Sequence, residues 1–222
     1  MAEEDYAGIR AEIVAAGRHL IAKGLVAGTW GNVSVRIPGA PQVLITPSGR
    51  DYESLTPAEL IAVDLEGRTL SGGVPSSETP LHLAIYRQRP DVQAIVHTHS
   101  LFASACAVAH RSIPPVIEDL VQLVGGEVEV AAYALPGTAE LGQSAVAALG
   151  DKQAVLLANH GAVGCGTRLG EAMLACELVE KAAQIYLYAN MLGGAKLLSG
   201  EDVALMRRFY LENYRQRQRG ET

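Results

Sequence analysis

The chain is short of cysteine. Cys106, Cys165 and Cys176 are the only three among its 222 residues. An odd number with no metal-type spacing excludes a disulfide framework and a thiolate metal cluster, and reads as reduced, mostly buried thiols in a cytosolic protein. Basic runs are equally scarce. The formal net charge is −6, and the one basic block is the short Arg215–Arg219 stretch. Nucleic acid is therefore not an expected partner, and any anionic substrate has to be held locally by backbone amides and a few side chains. No stretch is apolar for long enough to span a membrane, so no membrane partner is expected. Residues 1–5 are acidic and do not read as a signal peptide, which leaves a cytoplasmic location as the expectation. Internal repeats and linkers are absent too. With 49% hydrophobic residues, the chain reads as one globular domain over residues 1–222, large enough to bury a full core.

What is present centres on Ile95-Val96-His97-Thr98-His99-Ser100. Strand formers lead into two histidines one residue apart, and alternation on a strand points both the same way. Two imidazoles on one face make half of a zinc site. For an isolated pair, two hydrogen-bonded histidines at a strand end are the competing reading. A second buried run, Ala154–Leu157, delivers Asn159-His160-Gly161. His160 completes a three-histidine set that leaves one coordination position open, which is the catalytic rather than the structural arrangement. Glycine directly after it lets another backbone or a ligand come close. His19, His82 and His110 are expected to be structural, with His82 near the rim of the site.

Pro75-Ser76-Ser77-Glu78 precedes a helix opening at Thr79-Pro80. Helix N-termini bind phosphate, and two serines add hydroxyl donors there. Helix capping with a solvated glutamate is the alternative. Placed beside a phosphate and a metal, Glu78 has the chemistry both to ligate zinc and to move a proton.

Along the chain, residues 6–26 read as a helix ended by Gly28. Residues 33–37 and 43–45 form a hairpin around Pro38-Gly39. Thr56-Pro57-Ala58-Glu59 opens a short helix by a capping box. Strands follow at 61–65, 94–96 and 128–132. Helices are expected at 79–89, 100–109, 138–149 with Thr138 as cap, Leu169–Met191, and from the Ser199 cap to about Tyr214. Residues 113–126 have no clear pattern. Ala162-Val163 either continues the preceding strand or pairs back. Short strands among helices, several joined by hairpins, give an α/β domain with a mixed or antiparallel sheet.

Six motifs in order resemble one family: Gly28-Thr29-x-Gly31-Asn32-Val33-Ser34-Val35-Arg36, Leu44-Ile45-Thr46-Pro47-Ser48-Gly49, Pro75-Ser76-Ser77-Glu78, Val96-His97-x-His99, Arg111-Ser112-Ile113-Pro114 and Asn159-His160-Gly161. Together they are similar to the class II aldolase, epimerase and adducin-head family, on its sugar-phosphate aldolase side. The resemblance implies a three-layer α/β/α fold around a largely antiparallel mixed sheet. It implies one zinc ion (Zn2+) per subunit on His97, His99 and His160, with Glu78 as acid/base and possible fourth ligand. Asn32, Ser48, Gly49, Ser76 and Ser77 become the phosphate cradle. The implied assembly is a homotetramer with sites between subunits. The implied reaction is cleavage of a ketose 1-phosphate of fuculose, deoxyribulose or ribulose type to dihydroxyacetone phosphate and an aldehyde.

Two departures stand out. The family tyrosine after the Ser-Ile-Pro motif is missing, and Glu118 or Asp119 falls at about its place. The C-terminal tyrosine that reaches a neighbouring site is matched by Tyr214, with Tyr210 in reserve. A 4-epimerase of this family carries Asp where Glu78 stands. A methylthioribulose-phosphate dehydratase keeps Glu and the histidines. The adducin-type module, which is not an enzyme, lacks the metal ligands.

Overall fold

The computed structural model describes residues 6–220, so the reading of residues 1–5 lies outside the described part. The first helix, α1, spans Ala7–Ala22. It ends at Gly24 (φ +67°), not at Gly28. The Gly24 and Leu25 amides donate back to the Ile21 and Leu20 carbonyls at 3.0 Å each. That pattern satisfies the last orphan carbonyls of the helix and needs a left-handed residue, which glycine provides. Leu25 and Val26 then leave the helix yet stay buried.

Strands β1 (Asn32–Arg36), β2 (Gln42–Ile45) and β3 (Ile61–Asp64) form a meander. The capping box at Thr56 is present, but it supports only one 3-10 turn, Pro57–Glu59, because buried Leu60 is already extended on the way into β3. Helix α2 (Thr79–Gln88) leads to β4 (Ala94–Thr98) and α3 (Leu101–Val108). The pattern-free segment contains a helix, α4 (Glu118–Val124), with Glu118 and Asp119 in its first turn and Gly125 (φ +104°) at its end. Acidic residues there complement the helix dipole.

The strand expected at 128–132 is reduced to β5 (Val130–Ala131). Val128 pairs with Ile113 instead of with the sheet. After α5 (Ala139–Leu149), β6 (Ala154–Leu157) and β7 (Gly161–Gly166) form a hairpin, so the chain pairs back at Ala162. Helix α6 spans Leu169–Met191. The C-terminal helix runs further than expected: α7 (Gly200–Phe209) passes through a wider i→i+5 turn at Tyr210–Tyr214 into α8 (Arg215–Arg219).

The sheet order is β3-β2-β1-β4-β7-β6-β5, and only the β5–β6 pair is parallel. Strand alternation sorts its side chains. Ile45, Val63, Ile95, Val155 and Val163 pack under α2 and α5. On the other face, Val33, Val35, Ala94 and Val96 meet α1 and α6, and Leu156 and Ala162 meet α3, α4 and α6. The result is the expected three-layer α/β/α arrangement around a largely antiparallel mixed sheet. His97, two residues after Ile95, lies at the centre of the sheet on the α2 face, opposite Asn32 on β1 and Val163 on β7. Among the described residues no helix is long and apolar enough to cross a membrane.

Candidate active site

His97 lies one residue before the end of the central strand and is fully buried. His99 lies just past it, its amide held by the Leu25 carbonyl at 3.1 Å. The early end of α1 thus supplies the acceptor that fixes the second histidine. His160 occupies the β6–β7 turn, made possible by Asn159 at φ +54°. The Asn159 side chain is braced by His110, Nε2 to Oδ1 at 2.7 Å. The three imidazole centroids lie 4.7, 4.7 and 4.9 Å apart. Glu78 caps the start of α2 and reaches in, its Oε2 3.1 Å from His97 Nε2 and its Oε1 3.3 Å from His160 Nε2. One ligand atom from each of the four residues lies within 4.8 Å of all the others.

The hydrogen bonding shows what this cluster is short of. His97 Nδ1 faces the Ala162 carbonyl at 3.0 Å. A carbonyl only accepts, so the proton sits on Nδ1 and the Nε2 lone pair points into the cluster. There it meets His99 Nε2 at 2.8 Å and the Glu78 carboxylate. Burial lowers His99 and His160 to a pKa of about 4 each, which keeps both rings neutral near pH 7. Burial raises the Glu78 pKa, but His97, His160 and Asn32 outweigh it and hold the carboxyl well below the usual range. Glu78 Oε1 is buried without a hydrogen-bond partner. Converging lone pairs around an anionic carboxylate fit a divalent cation.

Gly161 shows how tightly the turn is built. A Cβ there would stand 2.2 Å from the Thr98 carbonyl oxygen and 3.2–3.3 Å from the His99 and His97 rings. The close approach is therefore by another backbone. Gly161→Ala should cost about 1–3 kcal/mol through overpacking and should weaken metal binding, because His160 cannot stay in place while the turn moves. Thermal unfolding with and without added zinc checks this. A variant of unchanged Tm and metal affinity would contradict the packing argument.

A cavity of about 350 Å3 opens beside the cluster, lined by Asn32, Ser48, Gly49, Ser76, Ser77 and Glu78, with His99 and His160 at its inner end. The two serine loops are tied together. Ser48 N–H donates to the Val74 carbonyl at 3.0 Å, and Ser76 N–H to that of Thr46 at 3.1 Å. The Glu78 amide donates to Ser76 Oγ at 3.2 Å, and the Thr79 amide to the Ser76 carbonyl at 3.0 Å. Ser76 therefore takes up the first amides of α2, and what faces the cavity is hydroxyl rather than free helix terminus. Asn32 is committed at both ends. Its Nδ2 donates to Glu78 Oε2 at 2.8 Å, and its Oδ1 accepts from His82.

Trp30 and Pro136 line the cavity and were passed over by sequence reasoning, and Trp30 is the larger of the two side chains. Its indole is exposed and stacks on His99, centroids 5.8 Å apart and planes 29° apart. The only signal was an aromatic at the open position of Gly28-Thr29-x-Gly31. Tyr210 is packed in the core, 3% exposed, whereas Tyr214 is half exposed. Neither lines this cavity within the chain. Nor do Glu118 and Asp119, and the Asp119 carboxylate is paired with Lys181. His19 pairs with Glu177 at 2.7 Å. Cys106, Cys165 and Cys176 are buried and unpaired.

Fold and site together define an α/β protein that gathers three imidazoles and a carboxylate beside a hydroxyl-lined cleft. Residues 11–187 match the class II aldolase and adducin N-terminal domain. The chain is 37% identical over 195 residues to the 5-deoxy-D-ribulose 1-phosphate aldolase of Bacillus thuringiensis serovar kurstaki, covering 87% of this chain and 91% of that one. It is 38% identical over 184 residues to the L-fuculose phosphate aldolase of Escherichia coli K12, covering 82% and 85%. A solved L-fuculose 1-phosphate aldolase superposes with a TM-score of 0.90 at 34% identity, covering 95% of this chain and 98% of that one. The chain belongs to the class II aldolase family, and its fold and relatives are those of a metal-dependent carbon–carbon lyase.

Proposed function

We propose that this protein cleaves a ketose 1-phosphate of the fuculose or 5-deoxyribulose type between C3 and C4, giving dihydroxyacetone phosphate and an aldehyde. The observation that carries the reading is the convergence of Glu78, His97, His99 and His160 next to the paired Ser48 and Ser76 loops. His97, His99 and His160 would hold one zinc ion per subunit, with Glu78 as a further ligand in the absence of substrate. When bound, the metal supplies Lewis-acid stabilisation of the negative charge that develops on the substrate oxygens.

The protein's own groups do the rest. The Ser48, Ser76 and Ser77 hydroxyls and the Gly49 backbone hold the phosphate, with Asn32 at the inner wall of the cradle. Ser76 accepts from the Glu78 amide and still has its own proton to donate. As the C3–C4 bond breaks, the C4 hydroxyl gives up its proton on becoming the aldehyde, and Glu78 delivers one to C3 as the enediolate becomes dihydroxyacetone phosphate, so no net proton is gained or lost; synthesis runs both transfers in reverse. Tyr214 of a neighbouring copy in a homotetramer would face the aldehyde half, which its exposure permits. One catalytic domain spanning residues 1–222, in a cytoplasmic setting, completes the reading, supported by the three unpaired thiols.

The test is incubation of zinc-loaded protein with a panel of ketose 1-phosphates and assay of dihydroxyacetone phosphate. Free ketoses should be poor substrates. Ser48→Ala and Ser76→Ala should each weaken binding of the phosphorylated substrate by about 1 kcal/mol or more, the cost of a lost hydrogen bond to a charged group. Equal turnover of free and phosphorylated sugars would remove the cradle from the proposal.

A further inference from the structure

Strand β1 and helix α2 face each other in register. Two residues along a strand advance about as far as one turn of a helix, roughly 6 Å. Asn32 and Ser34 therefore meet Glu78, His82 and Tyr86, spaced four apart on one helix stripe. The polar atoms join in one unbroken line. Tyr86 Oη lies 2.9 Å from Ser34 Oγ, Ser34 Oγ 2.6 Å from His82 Nδ1, His82 Nε2 2.5 Å from Asn32 Oδ1, and Asn32 Nδ2 2.8 Å from Glu78 Oε2. Ser34 and His82 are fully buried, and Tyr86 and Asn32 nearly so.

The line has a single polarity when Glu78 is a carboxylate. A carboxylate only accepts, so Asn32 must turn its NH2 toward Glu78 and its carbonyl oxygen toward His82. That oxygen also only accepts, so His82 carries its proton on Nε2. Burial lowers the His82 pKa to about 3, which keeps the ring neutral and its Nδ1 bare. Ser34 must then donate to Nδ1, and Tyr86 to Ser34. Reversing the line would need a proton on Oε2, a rotated Asn32 amide and every other donor exchanged at once, inside a packed interior.

We infer that Tyr86, Ser34, His82 and Asn32 form a positioning relay that pins Glu78 Oε2 as an acceptor and leaves Oε1 as the oxygen that carries the proton. The identity of the proton's other owner rests on the aldolase reading. The relay itself rests on this geometry alone. Oε1 fits the assignment, since it is buried with no hydrogen-bond partner. His82 is then a positioning residue. It touches neither cleft nor cluster, and it decides which face the Asn32 amide shows to the carboxylate.

The test compares His82→Leu, which removes the donor, with His82→Gln, which keeps an N–H for Asn32, in zinc-loaded protein. His82→Leu should lower kcat for exchange of the labelled C3 proton of dihydroxyacetone phosphate by about 10- to 100-fold, the range for losing a partner of a ligating group. KM and zinc stoichiometry should stay the same, and His82→Gln should recover most of the rate. Equal rates in the two variants, or KM and zinc content falling together with kcat, would overturn the relay. If His82→Leu does not fold, Ser34→Ala and Tyr86→Phe replace it, with a smaller loss expected for the more distant Tyr86; no loss in either overturns it. A readout independent of activity is 15N NMR of the imidazoles, with His82 assigned by its absence from His82→Gln. The relay requires the Nε2–H tautomer, and an Nδ1–H tautomer would refute it. If wild-type protein exchanges no proton while His82 shows the Nε2–H tautomer, it is the aldolase reading that fails.

Discussion

Purified protein should contain close to one zinc ion per subunit, and His97→Ala should lose it together with activity. Of the four candidate ligands, His97 is the one that the fold holds hardest. It is fully buried on the central strand, and its Nδ1–H is anchored on the Ala162 carbonyl. Among the described residues no further histidine belongs to the cluster. Removing it leaves two imidazoles and one carboxylate, which could keep zinc only by committing Glu78 as a permanent ligand, so the ion should bind more weakly and Glu78 would no longer be free to move a proton. A Lewis acid is worth several kcal/mol to a charged transition state, so turnover should fall by about a thousandfold or more. Chelation of the wild type should do the same, reversibly, and should lower Tm, because a metal that binds only the folded state stabilises it by mass action. Elemental analysis and an activity titration with zinc check both points. A fully active preparation free of metal would sink the site assignment.

Glu78→Gln should bind substrate and zinc yet turn over hardly at all. The substitution keeps the shape of the side chain and an oxygen for the Asn32 amide to donate to, while removing the base. General acid–base catalysis is commonly worth about 10²- to 10⁴-fold, and a loss of that order is expected. Both cleavage of the ketose phosphate and release of the labelled proton from dihydroxyacetone phosphate should fall together if, as proposed, the same carboxylate carries the proton in each. If cleavage continues at the wild-type rate, another group carries it. Asp119 is a poor replacement, since its carboxylate is tied to Lys181. The products also separate related chemistries on this scaffold. An epimerase would return the substrate with one hydroxyl-bearing carbon inverted. A dehydratase would release a diketone phosphate and no dihydroxyacetone phosphate. Either product across the whole ketose panel would displace the aldolase reading and leave the metal cluster standing.

Much of this was legible in the chain because it depends on short-range geometry. His97 and His99 point the same way, as strand alternation leads one to expect, although His99 lies just past β4 with its amide on the Leu25 carbonyl. Thr138 caps α5, its hydroxyl accepting from the Leu141 amide. Leu169–Met191 forms the helix that its sequence reads as. Elements decided by their neighbours were harder. Helix α4 hides behind Pro114-Pro115, and its Leu120, Leu123 and Val124 gain their reason to be helical only by packing in the core shared with α6 and Tyr210. At the end of α1, the sequence reads as stopping at Gly28. Gly24 prevails because its turn closes the helix, buries Leu25 and aims the Leu25 carbonyl at His99.

The sequence by itself determined the chemistry on offer: three histidines, one glutamate and a set of serines, each at or close to a strand end, a turn or a helix start. Only the tertiary structure decided how those groups are oriented. Asn32, read from its motif as part of the cradle, has both ends of its amide engaged by Glu78 and His82. His82, read as structural, proves to be the residue that sets the Asn32 amide. Ser76 spends its carbonyl and a lone pair of its hydroxyl on the first amides of α2. Composition and spacing say which donors and acceptors a chain possesses. Which of them pair, and which are left facing the cleft, depends on the register of β1 against α2, and that register is set by packing among residues about fifty positions apart.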